Sequence, residues 1–163
     1  MTSIENLLKQ GQRDLHLGNP KEAMISFEKI LKTQPNHVDA LIKKGNILGK
    51  IGRYHKAIEC YDIVLLQDKI SILALVNKGL AHHYIEEYDN AIQCYDMVLK
   101  INPKSTTALY NKSSSLVKLG RINEGLEILR SVIKMDFSFK AKAKFDVDFT
   151  NIQKNNEFKK IIV

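Results

Sequence analysis

The sequence predicts an all-α fold, in which antiparallel helix pairs stack into a solenoid and a C-terminal segment of capping helices follows. Three observations support this prediction. Residues 57–65 and 91–99 lie 34 residues apart and differ at only two of nine positions. The apolar residues of each repeat recur at helical spacing. An aromatic-rich tail follows the last repeat, and such a tail can cover the apolar end of a stack.

The repeat is the strongest of these signals, because one offset of 34 residues relates four consecutive segments of the chain. They span about 4–37, 38–71, 72–105 and 106–139 within a single domain, 1–163. The related positions are Leu7, Leu41, Leu75 and Leu109; Gly11, Gly45, Gly79 and Ser113; Ala23, Ala57, Ala91 and Gly125; and Phe27, Tyr61, Tyr95 and Leu129. Fixed periods of this length indicate a repeat architecture.

Each repeat divides into two helices. In the second repeat Leu41, Gly45 and Leu48 share one helical face, and another apolar stripe begins at Ala57. Three glycines stand where a left-handed residue would end the first helix: Gly18, Gly52 and Gly120. Glycine inside a helix is unfavourable by about 1 kcal/mol relative to alanine. We therefore expect the mid-helix glycines to admit a neighbouring helix, with the repeated alanines forming the other half of the contact.

The sequence of the tail, about 138–163, predicts a cap that consists of three parts. They are a helix at about 138–145, a turn at 146–149 and a helix at about 154–161. Five of the six phenylalanines lie at or after Phe137. Six lysines are interleaved with them, namely Lys140, Lys142, Lys144, Lys154, Lys159 and Lys160. A structural cap is the favoured interpretation, because stacked repeats need one. The alternative is a basic, aromatic strip that binds an anionic partner.

The in-phase positions resemble the tetratricopeptide repeat family, whose pattern places Leu-Gly, Ala, an aromatic residue and Pro at fixed intervals over 34 residues. The second and third repeats match best. The fourth departs at Ser113, Gly125 and Phe137. The leucine before the family's glycine is replaced by Gln10, Lys44, Lys78 and Lys112. The tail also resembles an ending common in prokaryotic members, which folds back over the final repeat.

This resemblance implies a right-handed superhelix, in which the first helices line a concave groove and the second helices form the convex back. The positions expected to face the groove, as candidate partner-binding residues, are Leu8, Lys9, Gln12, Ile42, Lys43, Asn46, Lys50, Val76, Asn77, Leu80, His83, Tyr84, Tyr110, Asn111, Ser114 and Lys118. Asparagine can donate to and accept from an extended peptide backbone, and lysine favours carboxylates. We expect a protein or peptide partner with acidic and apolar residues.

Binding of nucleic acid or another anionic surface is the alternative function. A formal net charge of +7 and a pI near 9.3 favour it. The positive charge is nevertheless dispersed over the repeats, and only four arginines are present. Nucleic-acid readers usually gather lysine and arginine on one face. Protein binding therefore ranks above nucleic acid as the expected function, and a homodimer through the end repeats is a further alternative.

The sequence shows no catalytic set, so we expect neither an enzyme nor a cofactor. The five histidines have no partners at metal-ligand spacing, and no metal site is predicted. Cys60 and Cys94 are too few for a disulfide framework, which favours a reducing compartment. The first residues lack the features of a signal peptide, and no apolar stretch is long enough to span a bilayer. These observations predict a cytoplasmic protein.

Overall fold

The computed structural model describes residues 3–163, which form helices and connecting turns without a β-strand. Helices α1 to α8 form four consecutive pairs. Their bounds are α1 Ile4–His16, α2 Pro20–Thr33, α3 Val38–Lys50, α4 Tyr54–Gln67, α5 Ile72–Tyr84, α6 Tyr88–Ile101, α7 Thr106–Lys118 and α8 Ile122–Met135. The tail contains α9 Ser138–Phe145, a 3-10 helix Val147–Ile152 and α10 Asn156–Ile162. None of these helices combines the length and apolarity that crossing a bilayer requires.

The chain divides into two compact units, Met1–Ala81 and His82–Val163, here called the N-terminal and the C-terminal unit. The core of the N-terminal unit lies between its helix pairs. Phe27 and Ile30 of α2 pack with Ala40 and Ile47 of α3, and they are fully or almost fully buried. A neighbouring cluster brings together α3 and α4 around residues such as Tyr61. Each pair thus buries the apolar stripe that the sequence pattern predicts.

The helix ends follow the local chemistry of the sequence. Side-chain atoms of Ser3, His37 and Ser105 accept hydrogen bonds from backbone N–H groups at the start of α1, α3 and α7, as N-cap residues do. The three glycines that were predicted to adopt a left-handed backbone conformation do adopt it. Their φ angles are 77° at Gly18, 76° at Gly52 and 91° at Gly120. At the equivalent place in the third repeat the chain has Glu86, with φ of 63°. A non-glycine residue therefore adopts a conformation that its Cβ disfavours.

The mid-helix glycines do admit a neighbouring helix, but the contact differs from the prediction. A Cβ atom at Gly11 would lie 2.7 Å from the ring of Phe27. A Cβ atom at Gly45 would lie 2.6 Å from the ring of Tyr61. The nearest atoms opposite these glycines thus belong to the repeated aromatic residue, and not to the alanine, because the flat ring lies against the bare helix backbone.

In the fourth repeat, Ser113 occupies the position of the mid-helix glycine and Gly125 occupies the position of the repeated alanine. The hydroxyl group of Ser113 donates to the carbonyl oxygen of Gly125 at 2.8 Å. A Cβ atom at Gly125 would lie 2.7 Å from a methyl group of Val117 and 2.9 Å from the backbone oxygen of Ser113. The serine that replaces glycine is therefore accommodated by the glycine that replaces alanine, and the two departures from the family pattern compensate for each other.

Lysine occupies the position before the mid-helix glycine or serine, and it forms a repeated ion pair. Each pair joins the first helix of one repeat to the second helix of the preceding repeat. The pairs are Lys44 with Glu28 (3.2 Å), Lys78 with Asp62 (2.6 Å) and Lys112 with Asp96 (2.5 Å). At the next acidic position the chain has Arg130, which pairs with Glu157 of α10 at 3.1 Å. Pairs this exposed contribute about 0.2–1 kcal/mol each.

The tail caps the C-terminal unit. Phe149 and Phe158 are fully buried and stack at a centroid distance of 5.6 Å. They join Leu129 of α8 and Ala143 of α9 in one core. The expected capping helices are thus present, although the predicted turn at 146–149 is the beginning of a 3-10 helix. Asp146 and Asn155 accept backbone N–H groups and start the 3-10 helix and α10.

Candidate functional site

In the N-terminal unit, an asparagine pair links α3 to α5 on the face of the first helices. The side-chain oxygen of Asn46 accepts hydrogen bonds from Nδ2 of Asn77 at 2.9 Å and from the hydroxyl group of Tyr61 at 2.8 Å. Burial raises the pKa of Tyr61, so its hydroxyl group stays a donor. The Nδ2 group of Asn46 and the Oδ1 atom of Asn77 make no hydrogen bond to other described residues. One donor and one acceptor thus remain for a ligand.

Two lysines flank this pair on the same stripe of α3. Lys43, Asn46 and Lys50 are spaced three and four residues apart, and such residues are neighbours on a helix surface. Lys43 is half-buried and Lys50 is exposed. No carboxylate of residues 3–163 lies within ion-pair distance of either ammonium group, whereas Lys9 of α1 pairs with Glu5 at 2.6 Å.

The other predicted residues of this unit differ in exposure. Gln12 is exposed, while Leu8, Val76 and Leu80 are half-buried. Ile42 is 6% exposed and belongs to the core, so it departs from the prediction of an accessible side chain. Its position on α3 turns it towards the neighbouring helices.

The C-terminal unit places Tyr110 under the tail. Its hydroxyl group donates to Oδ2 of Asp146 at 2.7 Å. Its ring lies against Phe139 and Phe149, and the ammonium group of Lys142 lies 4.2 Å from the ring centroid. Burial and the Asp146 carboxylate raise the pKa of Tyr110. Only 2% of Tyr110 is exposed, so the structure corrects the prediction that it lines an open groove.

His83 binds the second aspartate of the tail. Its Nε2 atom lies 3.1 Å from Oδ2 of Asp148, and its Nδ1 atom lies 2.8 Å from the hydroxyl group of Ser115. Burial alone would raise the pKa of Asp148, but the hydrogen bond to His83 and the positive charge of Lys118 outweigh burial and lower it. The carboxylate is therefore held in its ionised form.

The segment 146–152 thus covers much of the face that the sequence predicts to be open in this unit. Three of the predicted residues interact with this segment, namely His83, Tyr110 and Ser114. Asn111 is also buried. Tyr84 and Lys118 remain exposed. The cap was predictable from the sequence, whereas the role of Asp146 and Asp148 as partners of these residues was missed. The available signal was a pair of carboxylates beside Phe149, in a tail whose other charged residues, apart from Glu157, are all lysines.

A cleft of about 400 Å³ lies elsewhere in the N-terminal unit, beside α2 and α4. Met24, Leu31, Lys44 and Cys60 contribute to its lining. Burial raises the pKa of the Cys60 thiol, which favours the unreactive protonated form. Among residues 3–163, no group of three or more His, Cys, Asp or Glu side chains is arranged to hold a metal ion.

Comparison with family models accounts for the helix pairs. Models described as tetratricopeptide repeat match residues 26–59, 72–105 and 106–139, which together make up more than half of the chain. The chain belongs to the tetratricopeptide repeat family. Members of this family typically serve as protein-interaction modules, and the assignment supports a role as a protein–protein interaction scaffold.

Solved structures agree with this assignment. A crystal structure of MamA is 23% identical over 93% of this chain and 90% of its own, with a TM-score of 0.79. MamA from Desulfovibrio magneticus RS-1 is 21% identical over 99% of this chain and 91% of its own, with a TM-score of 0.83. A tetratricopeptide repeat protein from Parabacteroides merdae ATCC 43184 is 21% identical over 97% of this chain and 62% of its own, with a TM-score of 0.86. No curated protein sequence matches.

These similarities confirm the predicted fold class, an all-α solenoid of antiparallel helix pairs with capping helices at its C-terminal end. At such identities they establish the fold and say nothing of a shared partner.

Proposed function

We propose that the chain binds an acidic and apolar segment of a partner protein on the first-helix face of the N-terminal unit. One observation carries the proposal. In the C-terminal unit the corresponding face already holds a segment of this type, in which Asp146 and Asp148 precede the buried Phe149. The family fold thus presents, within this chain, an example of the ligand chemistry that its first helices accept.

The N-terminal unit offers suitable groups for a second segment. Lys43 and Lys50 supply positive charge without a carboxylate partner among the described residues. Asn46 and Asn77 supply a donor and an acceptor for an extended backbone. Val76 and Leu80 are half-buried and give apolar surface between these polar groups. Charge attracts the acidic residues of the partner, while the asparagines fix the course of its backbone.

On this proposal the four repeats act as one non-catalytic domain over 1–163, in the cytoplasm. Two buried thiols, Cys60 and Cys94, suit a reducing compartment. Self-association is not required for binding, because the proposed residues all belong to one copy of the chain.

A peptide-binding experiment tests the proposal. A fluorescent library of short peptides containing Asp, Glu, Leu and Phe is compared with a matched library in which Lys and Arg replace the acidic residues. We expect the acidic library to bind more tightly, by fluorescence anisotropy. The Lys43→Ala/Asn77→Ala variant is expected to weaken binding by about tenfold or more, since a few residues usually carry most of the binding energy.

The matched control is Lys29→Ala/Gln93→Ala, which changes exposed residues of α2 and α6 and is expected to bind as the unaltered chain does. Circular dichroism verifies that both variants remain folded. Undiminished binding by the Lys43→Ala/Asn77→Ala variant would contradict the proposal. Preference for the basic library would also contradict it. Tight, steeply salt-dependent binding of random RNA would instead favour the alternative function.

A further inference from the structure

The outward face of α9 is unusual for a solvent-exposed helix. Phe137, Lys140, Ala141, Lys144 and Phe145 recur at three- and four-residue spacing and form one stripe. Phe137 is 72% exposed and Phe145 is 80% exposed. Val147, the first residue of the 3-10 helix that follows, is 77% exposed. Large apolar side chains therefore protrude at both ends of a cationic helix.

Capping does not account for this stripe, because the opposite side of α9 performs that role. Ala143 is fully buried, and Phe139 packs against the ring of Tyr110 at a centroid distance of 4.9 Å. The outward stripe contributes little to the core of the C-terminal unit. Clustered exposed apolar residues often mark an interaction surface.

The charged groups of the tail differ in their partners. The three side-chain carboxylates that follow α9 are engaged: Asp146 with Tyr110, Asp148 with His83, and Glu157 with Arg130 and Lys160. By contrast, Lys144, Lys154 and Lys159 have no carboxylate of residues 3–163 within ion-pair distance. The ammonium groups of Lys140 and Lys144 lie 5.2 Å and 6.0 Å from the ring centroids of Phe137 and Phe145. The Lys140 ammonium group also donates to the main-chain oxygen of Val163. The stripe itself thus contains two lysines and no carboxylate side chain.

We propose that this stripe, together with Val147, docks the protein on the surface of an anionic lipid bilayer. Protruding apolar side chains enter the boundary between headgroups and acyl chains, while lysines remain at the headgroups and attract anionic lipids. The occupant needs no matching shape, which suits a convex helix face. Val147 favours a bilayer over single-stranded nucleic acid, because it has no planar ring for base stacking. The stripe shares no residue with the proposed peptide site.

A vesicle co-sedimentation experiment with the full chain tests the proposal. The vesicles are made of phosphatidylcholine, with or without phosphatidylserine. We expect binding to the anionic vesicles, weakened at high salt and at least about tenfold weaker for the neutral vesicles. The Phe137→Ser/Phe145→Ser variant is expected to bind at least about tenfold more weakly, and Lys144→Glu about tenfold more weakly.

The matched control is Leu17→Ser/Leu66→Ser, which removes two apolar side chains that are 68% and 80% exposed in the N-terminal unit. It is expected to bind the anionic vesicles as the unaltered chain does. All variants are expected to keep their thermal unfolding midpoint, because the altered side chains are exposed. The proposal is overturned if no vesicle binds, if neutral vesicles bind equally well, or if the control loses as much binding as the phenylalanine variant. A dimer or an RNA complex that depends on Phe137 and Phe145, without vesicle binding, would also overturn it.

Discussion

The hydroxyl group of Tyr110 donates a hydrogen bond to Oδ2 of Asp146, 2.7 Å away and 36 residues later in the chain. Tyr110→Phe keeps the buried ring and removes this bond to a charged acceptor. We expect the free energy of unfolding to fall by about 1–3 kcal/mol, as measured by urea denaturation. Hydrogen exchange is expected to accelerate in α9 and in the 3-10 helix. Unchanged protection there would show that the bond does not hold the tail in place.

The ionisation of Asp148 predicts a dependence of stability on pH. Its pKa is lowered from 3.8 in the folded protein, despite burial, by the hydrogen bond to His83 and the charge of Lys118. Its contribution is therefore complete above about pH 4 and is lost as the pH falls through the lower, folded-state pKa. The Asp148→Asn variant is expected to be less stable at neutral pH.

The thermal unfolding midpoints of the two proteins should converge under acidic conditions, because protonation removes the same charge that the substitution removes. A constant difference between them from pH 7 to the acid limit would assign the stabilisation to shape or packing and not to the charge of Asp148.

Tyr61 and Tyr95 occupy equivalent positions in consecutive repeats, but their hydroxyl groups differ in whether they make a hydrogen bond. The hydroxyl group of Tyr61 donates to Asn46, whereas that of Tyr95 is buried without a partner among the described residues. The residue one repeat after Asn46 is Leu80, whose side chain cannot accept a hydrogen bond. We expect Tyr61→Phe to destabilise the fold by about 1 kcal/mol and Tyr95→Phe to be neutral or stabilising by up to about 1–3 kcal/mol. Equal effects in urea denaturation would contradict this distinction.

Glu86 adopts the left-handed conformation that glycine supplies in the other three repeats, with φ of 63°. Glu86→Gly is therefore expected to raise the free energy of unfolding by about 1 kcal/mol, since glycine removes the steric strain of the Cβ atom. The control is Gly52→Ala, which should lower it by a similar amount, because alanine meets the same strain and finds no new contact. Destabilisation by Glu86→Gly would indicate that the glutamate side chain stabilises this turn.

Much of the fold could be predicted from the sequence because the repeat turns a weak helical pattern into four consistent copies. Gly18, Gly52 and Gly120 mark turns that the structure confirms. The third repeat has Glu86 in place of this glycine, so only the 34-residue offset indicated a turn there. The ring-to-glycine contacts of Tyr61 and Phe27 were missed because residue spacing does not show which side chain crosses between helices.

The candidate site was less predictable. Positions such as Lys43 and Asn77 follow from the repeat register, since the same places recur on each first helix. The burial of Tyr110 and His83 does not, because it depends on where a non-repeating tail comes to lie. The sequence shows that residues 146–152 are apolar and acidic. It does not show that Asp146 contacts Tyr110, which lies 36 residues earlier in the chain, because that contact depends on how the tail packs.

The lysine–carboxylate pairs between repeats have a consequence for how such an array can be lengthened. A second copy of residues 38–71 inserted after residue 71 would bring its own Lys44 to Asp62 and its own Asp62 to Lys78. The same copy added after α8 would set its lysine against Arg130. Duplication of a repeat inside the array therefore preserves the ion pairs, whereas addition of a repeat after α8 places two positive charges together. An ion pair at this end would need an acidic residue in place of Arg130. Cooperative urea unfolding of the internally lengthened chain, and a less stable end-lengthened one, would verify this asymmetry.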